Sequence, residues 1–212
     1  MLSGANIANY NVFLDAGGTQ IFGDTTSGTV SYSVYNSQPQ NQDFSGNMYG
    51  IMPALQDLAA GTYTDTIFAT LQFSTNSTGP WNSIAAVSIT VSATVVNECR
   101  VDAFNLDFGN YNPFNVGAVN QSTLLKVYCT KGGAPASVTL NNGSFPVGVQ
   151  KRMMSAAGAF LNYTAALGST SGSSTSSLVP INAGFALNGT LAAQQDVATG
   201  LYQDTLVASV NY

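Results

Sequence analysis

The chain is short of charge. Of its 212 residues only 7% are Asp, Glu, Lys or Arg, and none is His; an ordinary soluble domain carries about a quarter charged residues. Without His, a Ser or Cys nucleophile lacks its usual base, so enzyme action and a cofactor are not expected. Cations are scarcer still. Residues 1–99 contain no Lys or Arg, against Asp15, Asp24, Asp43, Asp57, Asp65 and Glu98, and all five basic residues (Arg100, Lys126, Lys131, Lys151, Arg152) fall between 100 and 152. Nucleic-acid binders need clustered cations to displace counterions from phosphate, and an anionic membrane would repel the acidic first half. Neither is expected as a partner. No run approaches the roughly 18 apolar residues that span a bilayer, so no transmembrane segment is expected. Cysteine is limited to Cys99 and Cys129, without CxxC spacing or a His to complete a metal site. A disulfide is the better reading over free buried thiols, and it implies an oxidising compartment. The chain carries no signal peptide, so a secreted protein with this sequence is expected to be incomplete at its front.

What replaces charge is β-forming. Hydrophobic residues make up 45% of the chain, with 11 Phe and 10 Tyr, and Val, Ile and Thr suit a pleated, half-buried surface. An internal repeat divides the chain. Residues 48–73 align without a gap on 187–212, with identical pairs Gly50/Gly189, Gln56/Gln195, Asp57/Asp196, Gly61/Gly200, Tyr63/Tyr202, Asp65/Asp204 and Thr66/Thr205. Upstream, Asn9-Tyr10 matches Asn162-Tyr163. About 60 residues of the second copy, including both cysteines, have no counterpart ahead of Met1. The first copy is therefore expected to lack its opening strands. Alternation and turn residues predict strands in the second copy near 93–101, 104–108, 122–129, 135–141, 160–167, 181–188 and 203–212.

The second copy runs Glu98-Cys99-Arg100, Leu106-Asp107-Phe108-Gly109-Asn110-Tyr111, Val127-Tyr128-Cys129-Thr130, Asn142-Gly143, Lys151-Arg152-Met153, Leu161-Asn162-Tyr163 and Gly200-Leu201-Tyr202-Gln203-Asp204-Thr205. Each motif is weak alone; together, in this order, they are specific. They resemble the spore coat protein U domain, which also forms the subunits of Csu-type archaic chaperone–usher pili. The resemblance covers 93–212 fully and 1–73 as the back half of another copy. It implies an all-β chain of two immunoglobulin-like, pilin-type β-sandwich domains. One comprises 1–92 with a closing strand at 84–95, and the other comprises 93–212. It also implies a periplasmic chaperone that lends a missing strand, an outer-membrane usher, and a neighbouring pilin whose N-terminal segment replaces the lent strand. The family's Trp after the LxY strand is absent; Phe22 takes roughly that place in the first copy, and the tract 168–177 in the second.

The stretch 85–95 alternates without error: Val87, Ile89, Val91, Ala93 and Val95 on one face, Ser88, Thr90, Ser92 and Thr94 on the other. It reads as a donor-type closing strand used by the first copy, or as the first strand of the second. The last strand carries Leu206, Ala208, Val210 and Tyr212 on one face, matching Ile67, Ala69, Leu71 and Phe73. With no closing strand after Tyr212, an open acceptor groove is expected beside it. A chain that accepts a strand without lending one ends a fibre. The expectation is a two-domain tip subunit, exported through the periplasm to the cell surface, serving attachment and biofilm formation through an unknown receptor. The alternative is a protective spore or envelope coat protein.

Other residues have plainer readings. Asp57/Asp196 and Asp65/Asp204 recur at the same places in both copies, which suits scaffolding better than acid–base chemistry. Tyr63 and Tyr202 resemble the corner tyrosine of immunoglobulin-like sandwiches. Trp81, the only Trp, is a candidate receptor contact, with packing back onto the domain as the alternative. The Ser/Gly tract 168–177 reads as a flexible loop.

Overall fold

The computed structural model describes residues 1–23, 31, 45–74, 80, 82–135 and 137–212. Among the described residues the chain is all-β apart from a short 3-10 turn at Ile181–Ala183. It divides into two compact units, Met1–Gln56 with Gly61–Val95, and Val96–Tyr212 with the tetrapeptide Asp57–Ala60.

The first unit contains β1 (Leu2–Ser3), β2 (Asn6–Ile7), β3 (Asn11–Phe13), β4 (Tyr49–Ile51), β5 (Gly61–Phe73) and β6 (Asn82–Val95). One sheet runs β2-β1-β5-β6, and β3 pairs with β4 separately. Residues 85–95 sit entirely within β6, which pairs antiparallel with β5 from Gly61↔Val95 to Phe73↔Asn82, with a register break between Leu71 and Gln72. The alternation has the expected consequence. Ile89, Val91, Ala93 and Val95 are half-buried, while Ser88, Thr90, Ser92 and Thr94 face solvent. Farther out the apolar face is uncovered: Val87 is 60% exposed and Leu71 59%. Tyr63, Phe13, Met1 and Ala8 are buried.

The second unit holds β7 (Cys99–Val101), β8 (Val119–Leu125), β9 (Val127–Cys129), β10 (Ser137–Leu140), β11 (Lys151–Ser155), β12 (Phe160–Leu167), β13 (Phe185–Leu191), β14 (Tyr202–Gln203) and β15 (Ala208–Asn211). A five-stranded sheet runs β14-β11-β12-β13-β8; β10 pairs with β15 and β7 with β9. Cys99 lies directly opposite Cys129 in the β7–β9 ladder, and the two form a disulfide. Two apolar clusters fill the interior. One contains Leu125, Val127, Cys129, Val138, Ile181 and Phe185; the other contains Phe108, Leu161, Tyr163 and Leu191.

Several elements differ from expectation. Residues 104–108 keep strict alternation, with Phe104, Leu106 and Phe108 inward and Asn105 and Asp107 exposed, but they form no strand. A strand needs a partner for its ladder, and among the described residues none pairs with them. The stretch 203–212 is broken at 204–207 because side chains take its backbone donors: Asp204 accepts from Thr205 N–H and Asn141 Oδ1 from Val207 N–H. Residues 181–183 turn instead of extending. β11 escaped prediction because Lys151-Arg152 reads as surface, although Lys151 is only 8% exposed. The tract 168–177 is pinned, not free: Ser174 exchanges backbone hydrogen bonds with Gly132 and Gly133, and its buried hydroxyl donates to the Cys129 carbonyl at 2.8 Å.

Candidate functional site

The second unit carries a cleft of about 870 Å³ between residues 104–111 and residues 197–206. Phe104, Leu106 and Phe108 line one wall because two-residue alternation turns every other side chain inward. Leu206 lines the other, and Leu161, Tyr163 and Leu191 form the floor. Residues 104–108 present main chain without a ladder partner among the described residues, whereas the facing wall is laddered to β11 at Tyr202 and Gln203. β7 is paired with β9, and Asp102 N–H still reaches the Lys126 carbonyl at 3.0 Å, but among the described residues the ladder stops there. Unpaired buried or half-buried backbone groups are costly, and the main chain of residues 104–108 runs along the cleft beside its apolar side chains.

The floor is held rigidly. Phe108 meets Tyr163 edge-on, ring centroids 5.9 Å apart. The Tyr163 hydroxyl donates to Asp204 Oδ2 at 2.6 Å; burial first, and then this carboxylate, push the phenol well above its ordinary range. Asp204 also accepts from Ser144 N–H at 2.7 Å. Gly189 of β13 lets the wall pack closely, since a Cβ there would stand 2.7 Å from Phe108 Cζ and 2.5 Å from Leu106 Cδ2. At the repeat-equivalent Gly50 nothing lies within 4 Å. The Tyr111 hydroxyl pins the end of the segment, donating to the Ala192 carbonyl and accepting from Gln195 N–H.

Of the four residues read as one acceptor strand, Leu206 lines the cleft. Ala208 and Val210 pack half-buried against the Leu125–Val127 cluster, and Tyr212 is 57% exposed. Val87, Ile89, Val91, Ala93 and Val95 are brought together on one face of β6 in the first unit. Trp81 lies outside the described residues. Phe104, Leu106 and Phe108 were not singled out beforehand as groove residues; their alternation was the available signal. Tyr202 donates to the Ala198 carbonyl at 2.8 Å, the back-bond of a corner tyrosine.

The repeated polar residues act as scaffold. Gln56 bridges both main-chain groups of Asn9, and Gln195 does the same for Asn162. Asp65 takes the Tyr10 hydroxyl as Asp204 takes that of Tyr163. The non-glycine residues Leu55 and Gln194, one repeat apart, share a left-handed backbone at φ 61° and 57°. Asp57 departs from the pattern, accepting from Ser177 N–H and its hydroxyl.

A family model described as Spore Coat Protein U domain matches residues 1–70 and 85–209. Among solved structures, the chain is similar to the crystal structure of the CsuC–CsuE chaperone–tip adhesion subunit pre-assembly complex from archaic chaperone-usher Csu pili of Acinetobacter baumannii. The match has a TM-score of 0.55 and 22% identity, and covers 97% of this chain and 77% of that one. No curated protein matches.

Proposed function

Because the chain belongs to the Spore Coat Protein U domain family, we propose that it is a structural subunit of a bacterial surface pilus, assembled by donor-strand complementation and not an enzyme. The observation that carries this reading is the cleft of the second unit, with alternating apolar side chains on one wall and Leu206 on the other. An extended segment laid there gains main-chain hydrogen bonds and seats alternate side chains in the groove. Its occupants are a strand of a periplasmic chaperone and then the N-terminal segment of a neighbouring subunit, exchanged at an outer-membrane usher. The similarity to a chaperone–subunit complex supports this. Each unit is then an immunoglobulin-like sandwich of the pilin type, and the protein travels through the periplasm to the cell surface. The partners of Asp65 and Asp204 support a scaffold role for the acidic residues.

The finer part of the proposal is position. The strand carrying Val87, Ile89, Val91, Ala93 and Val95 is engaged by β5 within its own unit, whereas a strand lent to a neighbour has to be free. This supports a closing strand used internally, and a subunit at the fibre tip whose first unit faces outward for attachment and biofilm formation. Trp81 is proposed as a receptor contact there. Immunogold electron microscopy on source cells, with antibody against residues 1–99, tests it. Gold confined to fibre ends is expected. Labelling along whole fibres overturns the tip position, and label over the surface without fibres overturns the pilus reading in favour of a protective coat.

A further inference from the structure

Lys151 is the only charged side chain buried among the described residues, at 8% exposure. A buried ammonium is costly unless it is paired, yet neither ion pair found among those residues involves it. Its Nζ instead donates to the side-chain carbonyl oxygen of Asn142 at 2.9 Å, which sets a primary amine against a carboxamide. Both groups are held. Lys151 lies opposite Tyr163 in the β11–β12 ladder, and Gln150 Nε2 ties the carbonyls of both residues. Asn142 sits between Asn141, whose Oδ1 accepts from Gly143 and Val207 N–H, and Gly143, whose φ of +84° fits a residue without a Cβ. Asp204 borders the pair, accepting from Ser144 N–H two residues beyond Asn142 and from the Tyr163 hydroxyl across from Lys151.

We propose that Lys151 and Asn142 are a modification site, joined by an intramolecular amide bond that forms after folding. The Lys151 ammonium gives one proton to water, and the free amine attacks Asn142 Cγ. The Nζ–Cγ bond forms and an Nζ proton moves to Nδ2. The Cγ–Nδ2 bond then breaks, releasing ammonia, which takes up the proton that water received. One ammonium is consumed and one released, with no redox change. The structure supplies the positioning that makes such a step effectively unimolecular. The bond closes the connection between β10 and β11, a link that does not depend on the pilus reading.

Intact-mass spectrometry of the full, disulfide-bonded chain is the test. The expected mass is lower by one ammonia than the oxidised sequence, and a proteolytic digest yields a branched peptide joining residues 142 and 151. Lys151→Arg, which keeps a donor but cannot form the amide, is expected to restore the full mass. A wild-type mass without the deficit overturns the proposal. So does a deficit that persists in Lys151→Arg, which marks a succinimide at Asn142-Gly143, or a digest that holds only linear peptides. The wild-type digest decides even if a variant fails to fold.

Discussion

Asp65 and Asp204 occupy the same position one repeat apart, and each takes its hydroxyl partner from the equivalent tyrosine, Tyr10 or Tyr163. The hydroxyl of Tyr10 holds Asp65 below the ordinary carboxylate value of 3.8. Ser177 N–H lowers Asp57 and Gln20 N–H lowers Asp15. A carboxylate whose folded pKa is depressed stabilises the fold above its unfolded value and loses that contribution as pH falls through the folded one. Thermal unfolding followed by circular dichroism is therefore expected to be level down to about pH 4 and to weaken below it, with a shallower decline in Asp65→Asn. A melting temperature that rises on acidification contradicts this. The repeated glycines make a second prediction. Gly189→Ala drives a Cβ into Leu106 and Phe108 and is expected to cost about 1–3 kcal/mol in urea unfolding, as overpacking does. Gly50→Ala meets open space and is expected to be neutral or slightly stabilising. Equal effects at both positions contradict the packing described for the cleft wall.

At the scale of elements, β6 and the segment 104–108 obey the same two-residue alternation and meet different fates. β6 pairs with β5 and is a strand; 104–108 has no ladder partner among the described residues and forms no strand. The pattern in the residues was legible in both cases, but the presence of a partner was not, because a ladder is a property of two segments. A synthetic peptide of residues 85–95 supplies the missing partner in trans. It is expected to bind the full chain saturably in fluorescence anisotropy and to raise its melting temperature by mass action. Leu206→Lys puts an ammonium into the cleft and is expected to abolish both effects. Binding unchanged by that substitution places the peptide elsewhere, and absence of binding removes the acceptor role of the cleft.

At the scale of the whole molecule, the disulfide lies wholly inside the second unit, its cysteines separated by 30 residues. Closing a loop of that length stabilises by about 3–4 kcal/mol in the chain-entropy model. Replacing Cys99 and Cys129 by Ser is expected to lower the unfolding free energy of the second unit by about that amount and to leave the transition of the first unit in place. A shift of both transitions together means that the units unfold as one. The sequence by itself determined the β class and the family, because charge depletion, two-residue alternation and a set of short motifs in fixed order are local and additive along the chain. It also marked the pairing of Cys99 with Cys129 as the better reading. Only the tertiary structure decided that Lys151 is buried against Asn142, that Ser174 pins the 168–177 tract, and that Leu206 parts from Ala208 and Val210 to line a cleft with Phe104, Leu106 and Phe108. The reason is physical: burial, ladder partners and close approach are set by residues far away in the chain, so no local pattern carries them.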